Sequence, residues 1–283
     1  MKDSFVLWFL YQTILGRVLL KLLIQPGVSK AAGYFLSSKA SGRLVPYYIR
    51  RHNIDMRGIV VPPEGFSSFN AFFTRKQLPE HLDLSHGHLI SPCDGLLTLS
   101  KIQSNTVFDI KQTHYSLEDL LKDPTLAMKF KEGTALIFRL TPAHYHRYCY
   151  AVDGFVCRSR KIRGKLHCVR PIALHTVPVY TQNSREYQII RTQNFGTVIQ
   201  MEVGALLVGK IKNHHLPSAE HGVHAGEEKG YFEFGGSTII LLLQKDAVRI
   251  HGHLYERQNR NGEISVHMGE PVAQADKSTF PQE

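Results

Sequence analysis

Three short stretches carry the residue types that activate a nucleophile: "SPCDG" around Asp94, "HYHRYC" from His144 to Cys149, and "FGGST" around Ser237. A carboxylate, an imidazole and a hydroxyl are the parts used to take a proton from a weak nucleophile and to orient the base that takes it. Each stretch alone has a plainer reading, since Asp-Gly is usually a turn and a histidine cluster is often a satisfied surface network. A serine hydrolase fits poorly. Its nucleophile elbow requires G-x-S-x-G between strand and helix, whereas Ser237 follows Gly236 and runs through Thr238 into "IILLL". A hydroxyl that instead attacks the carbonyl of the preceding residue needs an unhindered glycine there, and Gly236 supplies one.

The elements that must hold these residues are mostly strands. "GLLTLSKI", "GTALIFRL", "FGTVIQMEVGALLVGKI", "STIILLLQ" and "AVRIHG" are short apolar or alternating runs set between glycines and polar turns. One helix interrupts them at "YSLEDLLKD", with Ser116 as N-cap and Asp119 three residues on. Before them, "SKAAGYFLSSKASGRLVPYYIRRHN" reads as helical, "VVPPEG" breaks it, and "FNAFFTRK" is an aromatic-rich turn or short helix. The expected fold is α+β, with a helical membrane-associating segment over residues 1–53 and a strand-rich catalytic body over 54–283.

Residues 4–24, "SFVLWFLYQTILGRVLLKLLI", are apolar around most of a helix, but Arg17 and Lys21 interrupt them. The uncharged part is shorter than the roughly 20 residues of a spanning helix. The expectation is a helix in the membrane interface with Trp8 and Tyr11 at head-group depth, against a helix packed on the protein's own core. With no small-residue cleavage site after it, the stretch is expected to be retained. The formal net charge of +10 and a pI near 9.4 suit an anionic partner. Four unevenly spaced cysteines in 283 residues do not make a disulfide framework and read as reduced.

Nearly the whole chain resembles the bacterial type of phosphatidylserine decarboxylase, a pyruvoyl-dependent membrane enzyme family. The likeness runs through "FNAFFTRK", "SPCDG", "FDIKQTHYSLEDLL", "YHRYC", "HTVPVYTQNSRE", "VGALLVGKI" and "GEEKGYFEFGGST". The last is similar to the family's self-cleavage motif, whose common form "LGST" has leucine where Gly235 stands here. The resemblance implies cleavage between Gly236 and Ser237, after which Ser237 becomes a covalent pyruvoyl group. That group would take the substrate amine as a Schiff base and act as electron sink for loss of carbon dioxide, with no metal required. It also implies that the two cleaved chains stay together, that phosphatidylserine in an anionic membrane is the substrate, and that the enzyme lies peripherally on the cytoplasmic side of the cell membrane. Oligomeric state beyond that pair is open.

Carried over by residue, Asp94 and Ser237 match the family's cleavage residues, and His146 matches the first histidine of "YHRxH", usually given the protonation role. Cys149 occupies the second histidine's position. Either His146 serves both as cleavage base and in protonation, which is the preferred reading, or His144, Cys149 or His175 takes one of the two steps.

Two further classes of protein share features with the chain. "NHHLPSAEHGVHAGEE" sets His214, His215, His221 and His224 near Glu227 and Glu228, a pattern open to a metal-dependent hydrolase. "RSRKIRGK" and the positive charge suggest a basic binding module, but the basic residues are dispersed and no nucleic-acid-reading motif appears, so no nucleic-acid partner is expected.

Overall fold

The computed structural model describes residues 5–78, 87–103, 106–110, 113–206, 210–214, 221–235 and 237–276. Helices occupy the N-terminal part and strands most of the remainder, the expected α+β arrangement. An eight-stranded antiparallel sheet organises the body. Its strands lie in the order His221–Val223, Gly154–Ile162, Arg185–Arg191, Thr197–Val203, Ser237–Leu243, Thr134–Leu140, Gly95–Lys101, Ile264–Val266. Ser237–Leu243 and Thr134–Leu140 are buried at every residue, which is why both read as mostly apolar runs and not as polar–apolar alternation.

A three-stranded sheet of Ile211–Asn213, Glu228–Phe232 and Arg147–Cys149 continues from it. The two sheets are linked by an ion pair with no solvent exposure, in which Lys229 Nζ lies 2.5 Å from Glu202 Oε2 and also donates to Asn213 Oδ1 at 3.2 Å. Burial pushes Glu202 up and Lys229 down, each towards its neutral form; their mutual attraction is the main opposing influence, with smaller help from Asn213 on Glu202 and from Glu186 on Lys229.

The N-terminal stretch is two helices, Phe5–Gln12 and Ile14–Leu23, bent by 99°. The single expected helix breaks at Thr13 for a local reason. Thr13 Oγ1 caps the second helix by accepting from Gly16 N at 3.0 Å and donates to Phe9 O at 2.8 Å. The bend brings the chains so close that a Cβ on Gly16 would lie 1.9 Å from Phe9 O, so only glycine fits. One side of this pair is packed on the protein: Leu10, Tyr11, Leu20 and Ile24 belong to the main core, and Tyr11 Oη accepts from Cys168 N at 2.9 Å. The other side leaves Phe5, Trp8, Ile14, Leu15, Val18 and Leu22 exposed. The expectation of a helix packed on the protein's own core describes the first side, and Tyr11, expected at head-group depth, is instead fully buried because its ring and hydroxyl are taken up by the core. Among the described residues no single helix is long and apolar enough to cross a membrane.

Behind it come the helix Pro26–Leu36, a 3₁₀ turn Lys39–Leu44 and the helix Val45–His52. A second apolar cluster joins Val45 and Tyr48 to Phe66, Phe69, Phe72, Phe73 and Phe234. It seats the short helix Phe69–Phe73, capped by Ser68 Oγ accepting from Ala71 N at 3.1 Å, against the chain just before Ser237. The helix Leu117–Leu121 also starts as its sequence predicts, with Ser116 Oγ accepting from Asp119 N at 3.0 Å.

Candidate active site

Four neighbouring strands bring the candidate residues to one end of the large sheet. Ser237 opens its strand opposite Leu140, the last residue of Thr134–Leu140. On the other side of that strand Leu96 pairs with Arg139, so Asp94 stands at the same end. Gly95 in turn pairs with Val266, which puts His267 opposite Asp94. His144 and His146 follow Leu140 within a few residues, on the connection to Arg147–Cys149.

His146 is fully buried. Its Nδ1 lies 2.8 Å from His144 O, which accepts a hydrogen bond from it and leaves Nε2 as the lone-pair nitrogen, and Nε2 is buried without a partner. Burial pushes this imidazole down to about 3; the His144 carbonyl opposes the shift, and the charges of His144 and Arg75 add to it. Phe73 covers the ring at 3.9 Å between centroids and also packs on Phe234. Phe232 N donates to His146 O at 2.9 Å, fixing the histidine to the strand that leads to Gly235.

Ser237 is equally buried and its Oγ has no partner. A hydroxyl and an imidazole nitrogen left unpaired in the interior are unusual, because unmade buried hydrogen bonds are costly and most such groups find partners. Gly235 has φ +136°, a conformation that residues with a Cβ rarely adopt. The leucine of the common motif would be strained in this conformation, whereas the glycine here is not. Gly236 lies outside the described residues.

Asp94 Oδ1 accepts from Met268 N at 2.9 Å and lies 3.8 Å from His267 Nδ1. Burial raises this carboxyl, but His267, the Met268 N–H and the more distant His144 outweigh it and hold Asp94 below its ordinary value. The pairing raises His267 in return. Nothing in the sequence around His267 marks it, since "SVHMGE" carries no catalytic pattern; only strand pairing sets it beside Asp94. His144 is lowered chiefly by burial, against the pull of Asp94, and its Nδ1 accepts from Thr141 N at 3.1 Å.

Cys149 is buried with its thiol pushed up to about 12 by desolvation, so the thiolate a base requires is inaccessible near neutral pH. His175 caps the short helix Pro171–Leu174, on the segment that meets the N-terminal helices. Of the histidine-rich stretch, His214 Nε2 pairs with Glu228 Oε1 at 2.5 Å, His224 Nδ1 lies 3.5 Å from Asp153 Oδ1, and His221 lies in a strand opposite Val156. His215 is outside the described residues, among which no group of three or more His, Cys, Asp or Glu could hold a metal ion. The basic "RSRKIRGK" lies largely in the strand Gly154–Ile162, where Arg158 and Arg160 face Asp123.

A base with a free lone pair and a hydroxyl with a free proton, buried beside a glycine and near a carboxylate paired with a histidine, are the groups that acyl transfer on the chain itself requires. Known proteins similar to this chain share one family name. The phosphatidylserine decarboxylase family model matches residues 69–274. The chain is 42% identical to phosphatidylserine decarboxylase proenzyme 2 of Clostridium acetobutylicum, over 94% of this chain and 90% of that one. It is 37% identical to the proenzyme of Clostridium botulinum, over 95% and 92%, and 40% identical to that of Clostridium perfringens, over 93% and 90%. The chain belongs to the phosphatidylserine decarboxylase family.

Proposed function

We propose that this protein converts phosphatidylserine to phosphatidylethanolamine with a pyruvoyl group made from its own Ser237. The observation that supports this most directly is the pair of unpartnered buried atoms, Ser237 Oγ and His146 Nε2, at one sheet end behind a glycine whose φ is +136°. In this reading His146 Nε2 takes the hydroxyl proton, and Ser237 Oγ attacks the Gly236 carbonyl. The peptide C–N bond breaks, the amine takes a proton, and an ester is left. Loss of the Ser237 α-proton then expels Gly236 as a carboxylate, and water replaces the nitrogen at position 237 with release of ammonia. In this reading Asp94 holds His267 beside it and acts on His144 through its charge. The pyruvoyl group supplies a carbonyl that takes the substrate amine and withdraws electrons as carbon dioxide leaves. The chain's own part in that later stage is to exclude water and to return a proton, for which His146, once free of its first task, is the buried candidate.

We also take the exposed apolar side of the two N-terminal helices, within residues 1–53, as the surface that meets an anionic membrane, with residues 54–283 carrying the chemistry. The test is an intact mass spectrum of the purified protein with an assay of carbon dioxide release from phosphatidylserine. Two chains divided after Gly236, the smaller carrying a pyruvoyl group, with activity, is the expected result. A single active chain with unmodified Ser237 would overturn the reading.

A further inference from the structure

A groove of about 560 Å³ opens between the 62–67 loop and the helix Phe69–Phe73, with Pro62, Glu64, Phe66, Arg75, Lys76 and Arg147 among its walls. Arg147 is accounted for: its Nε donates to Thr74 O at 2.9 Å and Arg75 O at 3.1 Å, and its guanidinium pairs with Glu228 at 2.7 Å. Arg75 is not. It is 5% exposed, its Nε is buried without a partner, and its hydrogen bond to Phe72 O is long at 3.4 Å. Among the described residues it forms no ion pair. Its guanidinium carbon stands 4.8 Å from the Phe72 ring centre and 5.9 Å from that of Tyr145, which orients the fork without neutralising it. A guanidinium keeps its charge even when buried; the charge of Asp94 acts on it from a distance, but among the described residues no carboxylate pairs with it, and a buried cation without a bonded counter-charge is unfavourable. The arrangement is suited to an anion with several acceptor oxygens.

The groove's walls also touch the candidate site and the surface. The helix that forms one wall presses Phe73 onto His146. On the groove's other side Val60 and Val61 are exposed, and the 3₁₀ turn Lys39–Leu44, with Leu44 exposed, abuts Phe66 and Ser67 through Gly42. An amphiphilic anion can lie with its charge at Arg75, its head towards His146 and its apolar part at the surface.

The geometry points to a phosphodiester site: Arg75, with Lys76 at the rim, receives the phosphate oxygens of the lipid whose serine head group reaches Ser237. This rests on the proposed decarboxylation. The substrate carboxylate is the poorer candidate. Its charge leaves as carbon dioxide forms, so a cation fixed on it would favour the ground state over the transition state, whereas the phosphate keeps its charge throughout. Arg75 is then a positioning residue whose loss shows in KM and not in kcat.

The test uses Arg75→Gln and Arg75→Lys, with self-cleavage checked by mass. Both are assayed on short-chain phosphatidylserine in detergent micelles, with glycerophosphoethanolamine as a competitor that has the diester and no carboxylate, and inorganic phosphate in parallel. The expected result is a rise of about 10- to 100-fold in KM and in the competitor's inhibition constant for Arg75→Gln, with kcat little changed and partial recovery in Arg75→Lys. The proposal falls if that inhibition constant is unchanged, if kcat falls at constant KM, if both variants stay uncleaved, or if inorganic phosphate competes as well as the diester. Calorimetry of glycerophosphoethanolamine binding separates the two readings. A wild-type chain that binds it through Arg75 yet releases no carbon dioxide overturns decarboxylation, and an active chain that does not bind it overturns the site.

Discussion

A base held near pKa 3 is neutral throughout the physiological range but drives proton transfer weakly, so cleavage through His146 is expected to be slow and insensitive to pH. Measured by gel from pH 5 to 8, the rate should show no acid limb, and His146→Ala should leave precursor, with general-base losses typically about 10² to 10⁴. An acid limb below the ordinary histidine value of about 6.5 would transfer the role to His144, and one above it to His267. The Asp94–His267 pair makes a separate, signed prediction. His267 is raised, so its contribution is complete below about 6.5 and lost as pH rises through its higher folded value. Asp94 is lowered, so its contribution is present above about 3.9 and lost as pH falls through its folded value. His267→Gln should therefore lower the Tm of uncleaved Ser237→Ala protein at pH 6 and by less at pH 9, and only modestly, because the imidazole is 82% exposed. Equal shifts at both pH values would remove the charge pairing from the account. Asp94 and Ser237 stand out in the sequence as candidates because they sit in contiguous motifs; His267 does not, since it reaches Asp94 only through the pairing of two strands distant in sequence.

At the scale of elements, the fully buried strands and the Ser116 cap were legible from composition alone. The strand Gly154–Ile162 was not, because its outward residues form a continuous basic run that hides the alternation behind charge. The break at Thr13 was hidden too, since a threonine-capped bend and an unbroken helix have the same apolar content. The bend decides how membrane docking should be tested. Deleting residues 1–24 would strip Leu10, Tyr11, Leu20 and Ile24 from the core, so the informative change is confined to the exposed side. Trp8→Ser, Leu15→Ser and Leu22→Ser together should reduce sedimentation with anionic liposomes while leaving cleavage and Tm nearly unchanged. Undiminished sedimentation would place the docking surface elsewhere.

At the scale of the molecule, the proposed cut falls beside the strand at the centre of the large sheet. Residues 237–283 supply Ser237–Leu243, hydrogen-bonded on both sides to strands from before the cut, and Ile264–Val266 at the sheet's edge. The same piece supplies Pro271–Ala275, which pairs with His88–Ile90 in a further sheet. The two chains should therefore elute together without denaturant. Unfolding is another matter: the uncut chain closes these long-range pairings within one molecule, but the cut pair must first meet in solution, at a cost in translational freedom. After dilution from guanidinium, Ser237→Ala precursor should recover its fold and the mature pair largely fail to, as read by circular dichroism; equal recovery would show that the strand can insert from solution. The central position of Ser237–Leu243 thus gives maturation a direction in time. The uncut chain serves as its own assembly template, each molecule can use that template once, and the persistence of the finished enzyme is governed by how slowly it unfolds and not by an equilibrium it can revisit.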